Sequence, residues 1–280
     1  MTQVATGAIE WAAQAGDAWT RRWRDTDAGL SDLGAKLHAA LLEAVPSGPF
    51  RALDIGCGAG TTSWQLARSR PNAAIIACDI SPSLAELARD RLAELGTIEV
   101  LLGDAEEVAS REGPFDLIFS RHGVMFFADP VSAFRNFRAA AAPGATLVFS
   151  CFQDWRANPW ASELSEAAAG HPLPPPGREP SGFAFAEPVY VGQVLRSAGW
   201  VEADARPVPF RYVAGEGAGA VDAALDYLAE IGPASRILSD LPVQARAAAL
   251  ERMRRVIERH CNGNIVEFPA AAWIWWAKAQ

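Results

Sequence analysis

Leu53-Asp54-Ile55-Gly56-Cys57-Gly58-Ala59-Gly60 is a short apolar run that leads into three glycines at alternate positions. The apolar residues suit a buried strand, and the glycines let the backbone turn sharply and approach a ligand without a Cβ in the way. A helix is predicted next, over Thr61 to Ser69, because Thr62 and Gln65 have capping-box spacing and Pro71 stands just past the end. The stretch therefore reads as a ligand-binding turn between a strand and a helix.

Turns of this type also serve dinucleotides, where G-x-G-x-x-G sets a pyrophosphate on a helix N-terminus. Here the spacing is G-x-G-x-G, and Thr61 holds the place of the third dinucleotide glycine. Asp54, two residues before the first glycine, opposes a pyrophosphate and suits a cationic ligand group such as a free ammonium. Two more acids follow the next two predicted strands. Asp79 ends the apolar run Ala73 to Cys78, roughly 20 residues past the glycines, where a carboxylate accepts from ribose hydroxyls. Ser81-Pro82 then starts a helix that Gly96 closes. Ile98 to Leu102 is the third strand, and Asp104 in Gly103-Asp104-Ala105 is placed to accept from the exocyclic amine of a base.

With these three motifs in order, residues 50 to 152 resemble the class I S-adenosylmethionine-dependent methyltransferases: Leu53 to Gly60 matches their first motif, Asp79 their ribose acid and Gly103-Asp104-Ala105 their adenine motif. The resemblance implies S-adenosylmethionine as cofactor, held by Asp54, Gly56, Cys57, Gly58, Gly60, Asp79, Ile80, Asp104, Ala105 and Ser120. It implies methyl transfer to a small-molecule acceptor, and a seven-stranded sheet ordered 3-2-1-4-5-7-6 with strand seven antiparallel. Two other readings stay open: a Rossmann-type NAD(P)-dependent oxidoreductase, against which the glycine spacing and Asp54 count, and a protein that binds the cofactor without transferring methyl.

Downstream, Phe115 to Ser120 is the fourth strand, and Arg121-His122-Gly123-Val124-Met125-Phe126-Phe127 follows at its carboxyl end, where open α/β sheets bind ligands. Of the four histidines only His122 has that position, which makes it the candidate general base if the acceptor carries a proton. Arg121, Met125 and Phe126 are candidates to line the acceptor site. Asp129-Pro130 starts the next helix and Pro143-Gly144 ends it, before a fifth strand over Thr146 to Phe152; Ala145 stands where the family's corresponding turn has a second glycine.

Strands alternating with helices imply an α/β fold, a doubly wound and mostly parallel sheet covered on both faces. Residues 1–48 precede that repeat as an N-terminal helical segment, and 49–280 form the Rossmann-like domain, with cap insertions at about 153–186 and 215–260. Trp11, Ala15, Trp19 and Trp23 recur every four residues, and Leu33, Leu37, Leu41 and Val45 make a second stripe, so two helices are predicted there. The tryptophans suit plain packing, or a lid in which Trp19 or Trp23 walls the site. Residues 153–186 suit a stiff linker, because prolines this dense exclude regular elements. Alternatively they form an acceptor-covering loop that brings Trp155 and Trp160 to the site. Beyond them come a helix from Glu187-Pro188 to Gly199, a strand from Trp200 to Phe210, helices over Ala220 to Ile231 and Leu241 to His260, and a last strand from Ile265 to Ala277.

The 280 residues are half apolar and carry a formal net charge of −8, which supports a sizeable core and argues against binding the phosphates of nucleic acid. Arg252, Arg254, Arg255 and Arg259 gather on one predicted helix, but Glu251 and Glu258 interleave with them, as on a solvated face. Four dispersed cysteines, without C-x-x-C pairs, point to neither zinc nor a disulfide framework. No metal, no nucleic acid and no membrane are expected as partners, and the sequence reads as a reduced, cytoplasmic protein without a signal segment or membrane span.

Overall fold

In a computed structural model, which describes residues 11 and 14–280, the apolar runs become neighbouring strands of a single sheet. Strands β1 (Phe50–Ile55), β2 (Ala73–Asp79), β3 (Ile98–Leu102), β4 (Phe115–Arg121) and β5 (Ala141–Phe152) pair in parallel. β6 (Val201–Glu216) and β8 (Ile265–Lys278) extend the sheet antiparallel, and the two-residue β7 (Cys261–Asn262) pairs with β8. The order is β3-β2-β1-β4-β5-β8-β6, the arrangement expected once the short β7 is set aside. Strand order reverses between β1 and β4, so a crevice opens at their carboxyl ends.

Helices are α1 (Gln14–Arg21), α2 (Trp23–Gly29), α3 (Ser31–Ala44), α4 (Thr61–Ser69), α5 (Pro82–Leu92), α6 (Ala105–Glu112), α7 (Pro130–Ala139), α8 (Pro159–Ala169), α9 (Pro188–Ser197), α10 (Ala220–Glu230), α11 (Pro233–Asp240) and α12 (Val243–Arg259). The leucine stripe of α3 buries Leu33, Leu37 and Leu41 against the sheet. A smaller cluster of Cys57, Ala77, Ala85, Ala88, Leu92 and Val100 seals α5 over β2 and β3. Trp200 ties α7 to the entry of β6 through a bond from its indole nitrogen to the Phe134 carbonyl at 2.9 Å.

Four expectations change. The N-terminal segment holds three described helices, because Arg22 and Leu30 leave helical geometry at φ −103°, ψ 17° and φ −100°, ψ 9°. The capping box at Thr62 is not made: the cap of α4 is Gly60 with no side-chain bond, and Thr62 is buried. Within 153–186 the prolines do not exclude a helix, since Pro159 occupies the first turn of α8, where no intrahelical N–H bond is lost. The single helix expected beyond residue 240 is preceded by α11, also opened by a proline. α8 packs against α11 and α12, so the two insertions meet as one helical group. The arginines of α12 are engaged: Arg254 with Asp222 at 2.6 Å, Arg259 with Glu163 at 3.3 Å, Arg255 with Glu251 at 3.5 Å, and Arg252 on the Ala167 and Ala168 carbonyls. Among the described residues no helix is long and apolar enough to cross a membrane.

Candidate functional site

At the end of β1 the chain makes the turn that the glycines foretold. Gly56, Gly58 and Gly60 have φ of +63°, +55° and +81°, in the left-handed region. The turn is pinned by the Cys57 amide on the Cys78 carbonyl and the Gly60 amide on the Cys57 carbonyl, each at 2.9 Å. Close approach also matters at Gly60, where a Cβ would lie 2.7 Å from Leu92 Cδ1. Gly58 differs, because a Cβ there would meet nothing within 4 Å. The loop therefore presents an open backbone cradle.

Two of the three expected acids sit under this cradle. Asp79 accepts from the Gly58 amide at 2.8 Å through Oδ2 and from the Ser81 amide at 2.9 Å through Oδ1. Each oxygen keeps a second lone pair for a ligand hydroxyl. Burial raises its pKa against those amide bonds. Asp54 is 1% exposed and accepts from Ser63 Oγ at 2.7 Å. Desolvation pushes its pKa up to about 7, against the Ser63 bond and the field of Arg121, so a cation placed beside it restores its charge. Asp104, at the end of β3, accepts from the Glu106 amide at 2.7 Å and so caps α6. Ile80 and Ala105, each following an acid, are partly exposed at the same edge, and the Cys57 side chain is buried. Ser120 is occupied in joining strands: its Oγ donates to the Ile55 carbonyl at 2.7 Å and accepts from the Gly123 amide at 3.0 Å.

The N-terminal helices lie across this edge. α1 contacts α5 so closely that a Cβ on Gly16 would fall 2.1 Å from Ser81 Oγ, and Thr20 Oγ1 donates to Ser83 Oγ at 3.1 Å. Trp11 packs on Trp19 and Phe126, with ring centroids 5.4 and 5.0 Å apart. From α2, Asp27 reaches Arg121 at 2.8 Å and Arg91 at 3.5 Å and accepts from Thr61 Oγ1. Arg91 also donates to the Ala59 carbonyl of the glycine turn and covers the Trp23 ring at 3.8 Å from its centroid. Asp27 and Arg91 were absent from the sequence reading, because nothing local sets an acid in an arginine-rich stretch apart from its neighbours, and Thr61 entered it only as the start of a helix, in the place of a third glycine. Met125, expected to line the site, is 2% exposed and belongs to the core.

His122 has a left-handed backbone, φ +63°, unusual for a residue with a side chain. Its Nδ1 shares a hydrogen with Ser150 Oγ at 2.8 Å, its ring meets Phe152 at 4.1 Å, and its Nε2 is buried without a partner. Desolvation, aided by Arg121, lowers its pKa to about 3. A base that weak at neutral pH takes up a proton poorly, which counts against the general-base role expected for His122. Trp155 and Trp160 come to the same ring cluster, both buried.

Residues 52–144 match the family model described as a methyltransferase domain. A malonyl-[acyl-carrier protein] O-methyltransferase of Geobacter sulfurreducens is 33% identical over 140 residues, covering 50% of this chain and 52% of that protein. The chain thus matches about half the length of this curated relative. In fold, a Bacillus halodurans C-125 protein classed as a methyltransferase aligns with a TM-score of 0.57 at 14% identity, over 88% of this chain and 99% of its own. A Haemonchus contortus phosphoethanolamine N-methyltransferase 2, in complex with phosphomonomethylethanolamine and S-adenosylhomocysteine, aligns at 0.54 and 14% identity, over 94% and 59%. At such identities the likeness speaks to the fold.

Proposed function

We propose that the protein, whose residues 52–144 match the family model described as a methyltransferase domain, is a class I S-adenosylmethionine-dependent methyltransferase that transfers a methyl group to a small-molecule acceptor. The observation that carries the reading is the open backbone over Gly58 with Asp79 and Asp54 beneath it. An organic ligand with an ammonium and a ribose fits that set: the ammonium restores charge to Asp54, and the ribose hydroxyls donate to the free lone pairs of Asp79. In this reading Asp104, Ile80 and Ala105, at the same sheet edge, flank the base of the ligand.

S-adenosylmethionine supplies an electrophilic methyl on a sulfonium whose charge disappears on transfer. What remains for this chain is to align the acceptor and exclude water. We assign the exclusion to the segment before residue 48: α1 closes on α5, and Asp27 joins α2 to Arg91, Arg121 and Thr61 at the glycine turn. Trp19 and Trp23 belong to that cover rather than to the wall that reads the acceptor. No side chain is assigned as general base, so the acceptor's own nucleophilicity sets its reactivity.

Calorimetry in a chelating buffer tests the reading. Among the described residues no group of three or more His, Cys, Asp or Glu is placed to hold a metal ion, so chelation should leave binding intact. S-adenosylmethionine and S-adenosylhomocysteine should both bind in the low micromolar range or tighter. No heat with either, or heat only with NADH, overturns the proposal.

A further inference from the structure

Three side chains that each carry a polar atom buried without a hydrogen-bond partner, His122 (Nε2), Trp155 (Nε1) and Trp160 (Nε1), pack on one pair of phenyl rings. The pair is Phe152 and Phe183, stacked with centroids 5.4 Å apart. His122 meets Phe152 at 4.1 Å and Trp160 meets it at 5.2 Å, while Trp155 stands edge-on to Phe183 at 5.2 Å. Buried donors are rarely left unpaired, because desolvation is not offset, and several on one ring cluster call for an explanation.

Two further observations place the cluster beside the reaction. The turn that holds His122 in its left-handed conformation carries Gly123, which comes so near Gly56 that a Cβ on Gly56 would lie 3.2 Å from Gly123 Cα. His122 thus stands between the glycine cradle and the rings, and backbone strain of this type gathers at ligand sites. On the outer side, the rings are covered by irregular chain around residues 171–187, where a Cβ on Gly182 would lie 3.9 Å from Phe152 Cδ2. An irregular cover opens at lower cost than a helix or strand.

The chemistry of the unpaired atoms selects the ligand. An indole N–H only donates, and His122 has Nδ1 taken by Ser150 and Nε2 left over. The nearby cation, Arg121, is held by Asp27 at 2.8 Å, so an anion at the rings would be desolvated without a counter-charge. We infer that the methyl acceptor enters at this ring cluster and is an uncharged, flat, apolar molecule whose edge carries carbonyl or hydroxyl oxygen, received by the Trp155 and Trp160 N–H groups and His122 Nε2. The inference rests on the methyl-transfer reading and adds the class of acceptor.

Equilibrium dialysis of the full chain in the presence of S-adenosylhomocysteine tests it with three probes of one shape: 2-naphthol, naphthalene and the 2-naphthoate anion. The oxygen of 2-naphthol should give on the order of tenfold tighter binding than naphthalene, with 2-naphthoate the weakest. In Trp155→Phe and Trp160→Phe, which keep a ring and lose the N–H, that preference should shrink while naphthalene binding stays. Intact binding of S-adenosylhomocysteine by each variant shows that the fold is kept. Equal binding of naphthol and naphthalene, tightest binding of naphthoate, or no binding of any probe while S-adenosylhomocysteine still binds overturns the inference alone. Failure of S-adenosylhomocysteine to bind the unmodified chain overturns instead the reading beneath it.

Discussion

Asp79 makes two backbone bonds and keeps a lone pair on each oxygen, so its loss is felt by ligand and loop together. Asp79→Ala is expected to weaken binding of S-adenosylhomocysteine by about 1.5–3 kcal/mol, the range for a hydrogen bond to a charged group, measured by calorimetry. Unchanged affinity in the folded variant would place the ribose elsewhere. Gly58 and Gly60 make a paired case. Alanine at either position is strained, at about 1–2 kcal/mol for a left-handed backbone. At Gly60 the methyl also meets Leu92, whereas at Gly58 it enters the open cradle. Gly60→Ala should therefore lose more stability, and Gly58→Ala more cofactor affinity for its loss of stability. The reverse ranking, from urea unfolding and calorimetry, would show that the ligand does not pass over Gly58.

At the scale of elements, the contact that matters most is between α2 and the glycine turn. Asp27 is 17% exposed and faces Arg121 and Arg91, 13% and 26% exposed. Removing its charge leaves two partly buried guanidinium groups without their shared partner, which favours the open arrangement of the N-terminal helices. Asp27→Asn should raise hydrogen exchange in α1 and α2 while β1 and β4 keep their protection. Exchange unchanged in α1 and α2 would mean that the Trp11–Trp19–Phe126 packing and the α1–α5 contact hold the cover without it. The insertion at 153–186 differs from a flap hinged throughout its length: α8 buries Trp160, Ala161 and Leu164 against the body, and the chain beyond it is irregular.

For the whole molecule, pH acts through buried groups that pull in opposite directions. Asp54 is raised from 3.8 to about 7, so the folded form holds a proton that the unfolded chain has released, and its contribution to stability falls as pH rises through that window. Asp79 acts in the same sense. His122 is lowered from 6.5 to about 3, so the unfolded chain takes up a proton that the folded form refuses, and its contribution is lost as pH falls below 6.5. The two slopes largely offset each other between pH 4 and pH 6.5 in the intact protein. Asp54→Asn should expose the His122 slope and become more stable as pH rises across that range, by up to a few kcal/mol at about 1.4 kcal/mol per pKa unit. His122→Gln should become less stable over the same range. Parallel melting curves for the two variants would show that neither group titrates as its burial dictates.

Much of this was legible in the chain. The run Leu53 to Ile55, the alternate glycines and the acids Asp54, Asp79 and Asp104 recur with strand-helix spacing, and short-range sterics and periodicity are written in local sequence. Strand order and the antiparallel last long strand came with the family resemblance. Helix α8 was hidden because a stretch dense in prolines reads as irregular chain, although a proline at a first helical position costs no bond, and α11, also opened by a proline, was not read at all. The sequence alone determined a doubly wound sheet with a glycine turn after its first strand and acids at the strand ends. Only the tertiary structure decided that Asp27 meets Arg91 and Arg121, that His122 turns toward Ser150, and that Phe152, Trp155, Trp160 and Phe183 share one cluster. Asp27 with Arg91 and Arg121, His122 with Ser150 and Phe152 with Phe183 are far apart in the chain, and a contact of that length leaves no periodic trace in sequence: it exists only once the sheet has fixed where each loop emerges.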